Sequence, residues 1–145
     1  MTLRWFGDTV IAGLERAVMR GVISGTERLR ERMIERVMQP PKTGILYYRG
    51  KNRYHQASAG GESPANDTGN LVRNITTLYD STTLTGTVNV GTDYGRRLEH
   101  GFVGQDSLGR TYDMAPRPFA RPALQEVTPE IRQGIANEII RALRT

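Results

Sequence analysis

The sequence predicts an α+β fold: a small antiparallel sheet flanked by two long helices, with long glycine-rich loops and a Pro-rich arm. Three observations predict it. Apolar residues recur every three or four positions through 9–38 and again through 124–143, as on a helix with one buried face. Between them, Leu84, Gly86, Val88 and Val90 alternate with Thr85, Thr87 and Asn89, the two-residue period of a half-buried antiparallel strand. The long stretches that separate these patterns are rich in glycine. The element order α-β-(αβ)-β-α-(β)-α layers helices on a sheet around one core. At 145 residues the chain reads as a single domain. Its parts are an N-terminal helix (1–40), the sheet and loops with a short helix (41–114), and the arm with the C-terminal helix (115–145).

The first helix carries Ile11, Leu14, Val18, Val22, Gly25, Leu29, Met33 and Val37 on one face. Asp8 or Thr9 can cap its start, and Pro40-Pro41 ends it. Gly13, Gly21 and Gly25 either permit close approach of another element or loosen the first half. Arg28–Glu31 and Arg32–Glu35 form i,i+3 pairs on the outer face. Trp5 and Phe6, just before the helix, read either as a staple onto the core or as an aromatic contact to a partner.

Ile45 to Arg49 is rich in strand formers. Residues 50–69 hold no Val, Ile, Leu, Phe or Met and read as a loop, mobile in the free protein and ordered against a neighbour. Asp67 or Thr68 can cap a short turn through 70–75. A hairpin of 75–80 and 84–91 follows, then a short helix from Tyr94 to His100 closed by Gly101. Residues 101–113 form a second loop, ending in a short strand over 111–114.

The arm, Met114 to Leu124, has three prolines in seven residues, one Phe and two arginines. Proline holds φ near −65° and keeps the preceding residue extended, so 115–121 reads as a stiff arm with Pro122 in the first turn of a helix. In that helix Leu124, Val127, Ile131, Ile135, Ile139 and Leu143 hold one phase. Because the phase survives Pro129, one kinked helix is favoured over a break with Thr128 as a new cap.

Composition narrows the function. With no cysteine there is no disulfide framework, zinc-thiolate site or thiol nucleophile. No run of 18 apolar residues exists, and Asp8 and Glu15 interrupt any signal-peptide core, so the chain reads as soluble and non-secreted. The net charge of +5 is spread along the chain, and 18 of the 20 basic residues are arginine, which suits interfaces better than a phosphate backbone. The 37% apolar share is low and hints at burial against partners. His55 and His100 lie far from metal-ligand spacing, and no Gly-x-Ser-x-Gly elbow or phosphate-binding loop occurs. The sequence reading therefore assigns no enzyme activity, catalytic residue, metal or cofactor. Tyr47, Tyr48 and Tyr54 interleave with Arg49, Lys51 and Arg53; with Lys42 these cations are candidate nucleic-acid contacts, the alternative being an exposed strand edge.

Four segments, taken in order, resemble the neck proteins of long-tailed bacteriophages, the head–tail joining or tail-completion family known as minor tail components. They are 56–71, which contains the Thr68-Gly69-Asn70-Leu71 turn; 88–94, a strand running into a turn; Leu98-Glu99-His100-Gly101, where the family favours Glu-x-Gly; and Arg117-Pro118-Phe119-Ala120-Arg121-Pro122-Ala123-Leu124. The resemblance implies a virion structural protein of the head–tail interface, assembled as a hexamer, dodecamer or related ring. Its partners would be further copies of itself, a portal-side connector and the tail tube or tail terminator, with DNA passing through the lumen and no membrane. Head-side ring, tail terminator and peripheral decoration are all compatible with it. On this reading Phe119 is an aromatic anchor and Arg117 and Arg121 are intersubunit ion-pair partners. Residues 50–69 are a neighbour clasp, and Pro118, Pro122, Tyr54, His55, Glu62 and Glu99 join the oligomer interface.

Overall fold

A computed structural model describes Thr2 and residues 4–144. It is α+β, in the order α1 (Gly7–Met38), β1 (Leu46–Tyr48), β2 (Tyr54–Gln56), α2 (Asn70–Arg73), β3 (Ile75–Asp80), β4 (Thr85–Val90), α3 (Gly95–His100), β5 (Phe102–Gln105), β6 (Thr111–Met114) and α4 (Ala120–Leu143).

The expected single sheet is instead three separate two-stranded antiparallel ribbons: β1–β2, β3–β4 and β5–β6. Two strands went unforeseen because each lies in a polar or glycine-rich stretch. In β2, Tyr54–Gln56, the pairing Tyr48↔Tyr54 is set by a turn with left-handed backbone at Lys51 and Asn52. In β5, Phe102–Gln105, pairing depends on the Asp106 turn. Asp106 Oδ1 accepts the Leu108 and Arg110 amides at 2.9 and 3.0 Å, which folds β6 back. The foreseen hairpin, β3–β4, has the expected alternation, with Gly86, Val88 and Val90 turned inward.

The fold is organised on α1 and α4, which run antiparallel. Arg20 meets Glu138, Arg28 meets Glu130, and Arg32 and Arg36 both meet Glu126. Between these ion pairs the helices approach closely. A Cβ on Gly21 would fall 2.8 Å from the Ile135 Cα, and one on Gly25 would fall 2.6 Å from the Ile131 Cγ2. Close approach is therefore the purpose of both glycines; Gly13, with open space around it, serves no such contact. The buried seam runs Ala17, Gly21, Gly25, Met33, Val37. Gly25, Met33 and Val37 follow the expected stripe, but in the first half of the helix the seam passes to Ala17 and Gly21, and Ile11 is 54% exposed. The shift arises because small residues, not large apolar ones, let two helix backbones approach. On α4 the seam is Ala123 and Val127 with half-buried Ile131, Ile135 and Ile139, while Leu124 and Leu143 face outward.

Helix α1 begins two residues earlier than expected, with Phe6 in the capping position and no side-chain cap, so neither Asp8 nor Thr9 caps it. Asp8 lies in the first turn, where a negative charge favours the helix dipole. Trp5 and Phe6 are exposed rather than stapled to the core. Helix α4 runs unbroken through Pro129, as favoured. It starts at Ala120, two residues before Pro122.

The main core gathers where α1 ends and α4 begins. Met33 and Val37 of α1, Leu71 of α2, Ile75 of β3, and Phe119 and Ala123 at the start of α4 form one buried cluster. Val88, Val90 and Leu98 pack around it.

Two glycines on α1 separate close packing from propensity. Gly21→Ala should lower stability by about 1–3 kcal/mol through overpacking against the Ile135 backbone. Gly13→Ala should raise it by up to about 1 kcal/mol. Urea unfolding followed by circular dichroism measures both.

Candidate functional site

Helix α4 has no capping side chain of its own, because Phe119 occupies the cap position and Pro118 precedes it. Its first amide groups need acceptors. Glu99, on the six-residue helix α3, supplies them. Glu99 Oε2 accepts the Phe119 and Ala120 amides at 2.8 and 3.0 Å, and Oε1 accepts the Arg121 amide at 2.9 Å. Burial pushes the Glu99 carboxyl up, but the three backbone amides outweigh burial and hold it below the usual carboxylate range. The positive end of the α4 dipole acts in the same sense.

The segment before α4 is clamped at three further points. The Arg117 amide donates to the Leu98 carbonyl at 2.6 Å, and the Gly61 amide donates to the Pro116 carbonyl at 2.8 Å. The Arg117 guanidinium donates to the Ser58 and Ala115 carbonyls at 3.2 and 3.3 Å. Gly101 makes this possible: at φ 77° it turns the chain where a Cβ would lie 2.7 Å from the Met114 carbonyl oxygen.

The proline-rich segment is therefore not a free arm. Phe119 is 1% exposed and fills the chain's own core, which corrects its assignment as an intersubunit anchor. Its spacing from Ala123 and Val127 matches the helix period and puts all three on the buried face. The Arg117 guanidinium is engaged by carbonyls of its own chain. The Arg121 side chain is exposed, Pro118 and Pro122 are half-buried, and Glu99 is an intrachain cap.

Residues 50–69 are likewise tied to the chain, which corrects the expected mobile clasp. Glu62 accepts the Thr43 and Ala59 amides at 3.1 and 2.8 Å, and these contacts hold its carboxyl below the usual range, the Thr43 hydroxyl contributing most. The Lys42 ammonium donates to the Arg36 carbonyl at the end of α1 and to the Ser63 carbonyl and hydroxyl. Burial pulls the Lys42 amine below its ordinary value. Lys42 is thus a helix C-cap, not a nucleic-acid contact. Arg49 pairs with Asp67, and His55 Nδ1 lies 3.7 Å from the same carboxylate. Asp67 therefore does not cap α2; the Thr68 hydroxyl accepts the Asn70 amide at 3.4 Å, and Gly69, at φ 77°, leads into that helix. Tyr54 is exposed and its ring tilts against Tyr48 at 5.4 Å between centroids. Lys51 and Arg53, at the tip of the β1–β2 ribbon, are exposed and form no salt bridge among the described residues.

These clamps enclose a cleft of about 420 Å³ between residues 57–70 on one side and Tyr94, Leu98, Met114 and Arg117 on the other. All four segments that carry the family resemblance contribute to its lining. Its floor is apolar, with Leu71 and Leu98, and its rim holds Asn66, Asp67 and Asn70, the last donating to the Tyr94 hydroxyl at 3.0 Å. No group of three or more His, Asp or Glu side chains suited to a metal occurs among the described residues. The sequence reading missed Ser58 and Ser63 as anchors, since serines in a polar loop carry no pattern. It also missed Glu126, Glu130 and Glu138, whose four- and eight-residue spacing places them on one face of α4 opposite the arginines of α1. Comparison with protein-family models, curated proteins and solved structures found no match.

Phe119→Ala should destabilise the isolated chain by about 3–5 kcal/mol, as expected for an emptied core position, readable by thermal unfolding of the monomer. The Glu99 cap adds a pH dependence. Its folded pKa is depressed, so its contribution is complete above the unfolded value and is lost as acidification passes through the folded value. Glu99→Gln should lower stability at neutral pH by about 1–2 kcal/mol and flatten the acid limb of a stability-against-pH curve.

Proposed function

We propose that this chain is a virion structural protein of the phage neck, which joins head and tail by assembling with copies of itself. The partners on this reading are the portal-side connector and the tail tube or tail terminator, and the assembly is a hexameric, dodecameric or related ring. One observation carries the proposal beyond the sequence resemblance. Large apolar side chains stand exposed at the extremities: Trp5 and Phe6 before α1, Tyr48 and Tyr54 on β1–β2, Val103 and Leu108 on β5–β6, and Leu143 at the end of α4. The main buried cluster is confined to one end of the helix pair. Exposed apolar surface spread over projecting elements is what a subunit that buries its extremities against neighbours requires.

A ring contact is heterologous, so two different patches of the chain meet. The mechanism is assembly, in which the subunit brings loops already folded onto its own body. That differs from a clasp that orders on docking, and it lowers the entropy lost on association.

The nucleic-acid reading keeps only Lys51 and Arg53 uncommitted, since Lys42 caps α1 and Arg49 pairs with Asp67. Two cations give little counterion release.

Light scattering over a wide concentration range, alone and with connector or tail-tube protein, should show a ring-sized species that imaging resolves with a central lumen. A chain that stays monomeric under all these conditions overturns the proposal. Labelled DNA titrated at several salt concentrations should bind weakly with a shallow salt slope; submicromolar binding with a steep slope would favour the nucleic-acid reading.

A further inference from the structure

One apolar projection and one apolar recess lie toward opposite ends of α1. The projection is the turn before α1. Trp5 is 81% exposed and Phe6 62%, and the indole rests over Gly7, where no side chain can displace it. Val10 and Ile11 continue the exposed surface along the first turn of the helix. Helix α4 ends opposite the neighbourhood of Gly13, where Arg16 and Arg20 meet Arg141 and Ala142 across a shallow recess. The start of α1 therefore projects past its partner helix, and nothing on α4 covers it.

The recess is the cleft floored by Leu71 and Leu98. Its volume falls in the range of about 300–1,000 Å³ typical of ligand pockets, with an apolar floor and a few convergent polar groups. Asn66, Asp67 and Thr68 at its rim offer oxygen acceptors for an indole N–H. The rim's Asp67 carboxylate already pairs with Arg49, and Arg117 also lines the cleft, so the rim offers hydrogen-bonding groups rather than an unpaired charge. Size and polarity thus match between projection and recess.

They cannot meet within one chain. Leu71 packs on Met33 and Val37, so the cleft lies near the far end of α1, about 40 Å from Phe6 at 1.5 Å per residue. The two chain steps from Trp5 to Gly7, the start of α1, span at most about 7 Å. A matching pair that cannot close on itself must close on another copy, and that is the heterologous contact from which rings are built.

Resting on the assembly reading above, we infer that Trp5 and Phe6 of one copy insert into the cleft between residues 57–70 and α3 of the next copy. Two aromatic side chains bury about 150–250 Å² each, against about 800 Å² per partner in a standard interface. The insertion is therefore the anchor of a larger contact, to which the exposed ribbons add area.

The chain has a single tryptophan, so its own fluorescence reports the event. As wild-type mass rises with concentration, the Trp5 emission should move to shorter wavelength in step. Trp5→Ala/Phe6→Ala should keep the monomer's circular dichroism and lose assembly. Ala65→Phe, which fills the cleft, should do the same with the projection intact. Mixed together, the two variants should form a one-to-one dimer and grow no further, because each supplies the half that the other lacks. If Ala65→Phe fails to fold, a peptide of residues 4–11 added to the wild type should dissolve the assembly and should bind the Trp5→Ala/Phe6→Ala chain with a blue-shifted tryptophan. Should the double variant assemble like the wild type, or emission stay constant while mass rises, the inference fails and the assembly reading survives. A wild type that never assembles, with a peptide that does not bind, overturns both. A monomeric wild type whose cleft binds the peptide supports the anchor and places the failure in the ring.

Discussion

The amino end of α4 needs hydrogen-bond acceptors that its own sequence does not provide. Glu99 meets that need from another helix, and much of the architecture depends on the meeting. One carboxylate accepts three successive amides and faces the positive end of a 24-residue helix. To bring it there, α3 must lie against the start of α4, and the chain must turn sharply at Gly101 and return through the β5–β6 ribbon. The same geometry seats Phe119 in the core and sets Arg117 against the Leu98 and Ser58 carbonyls. The cleft beside this junction follows from that placement.

The helix pair supplies stiffness along the other dimension. Gly21 and Gly25 let the backbones approach, and a row of arginine–glutamate pairs flanks the seam. Exposed pairs of this kind contribute little each, so the seam packing sets the distance and the charges set the register. Glu27 fastens α1 to the β3–β4 ribbon. It is held below the usual carboxylate range by the Tyr79 hydroxyl first and the Thr77 hydroxyl second. The result is a rod with its main core at one end and an apolar tip at the other, joined to ribbons that expose aromatic and aliphatic side chains. Many of its polar groups serve caps and turns, as Glu99, Glu62, Lys42 and Asp106 do.

The sequence by itself determined the elements whose signal is local. The stripes of the long helices, the alternation of β4 and the glycine after α3 were legible because each reports on near neighbours in the chain. Continuity through Pro129 was legible for the same reason, since the apolar phase persists across it. Tertiary structure decided everything that depends on contacts distant in sequence. In the first half of α1 the buried seam turned from Ile11 and Leu14 toward Ala17 and Gly21, because a second helix selects for small residues and periodicity alone does not reveal that partner. Strand β2 is too short and polar to announce itself, and β5 too short and too closely flanked by glycine; both exist through their turns and their pairing. Glu99, Glu62 and Lys42 read as surface charges in a linear sequence. They became caps because the backbone groups that need them, at the start of α4, near Thr43 and Ala59, and at the end of α1, arrive only when the chain has folded. Phe119 moved from an exposed arm to the core for the same reason: proline stiffens a segment but does not say which side of it meets the rest of the protein.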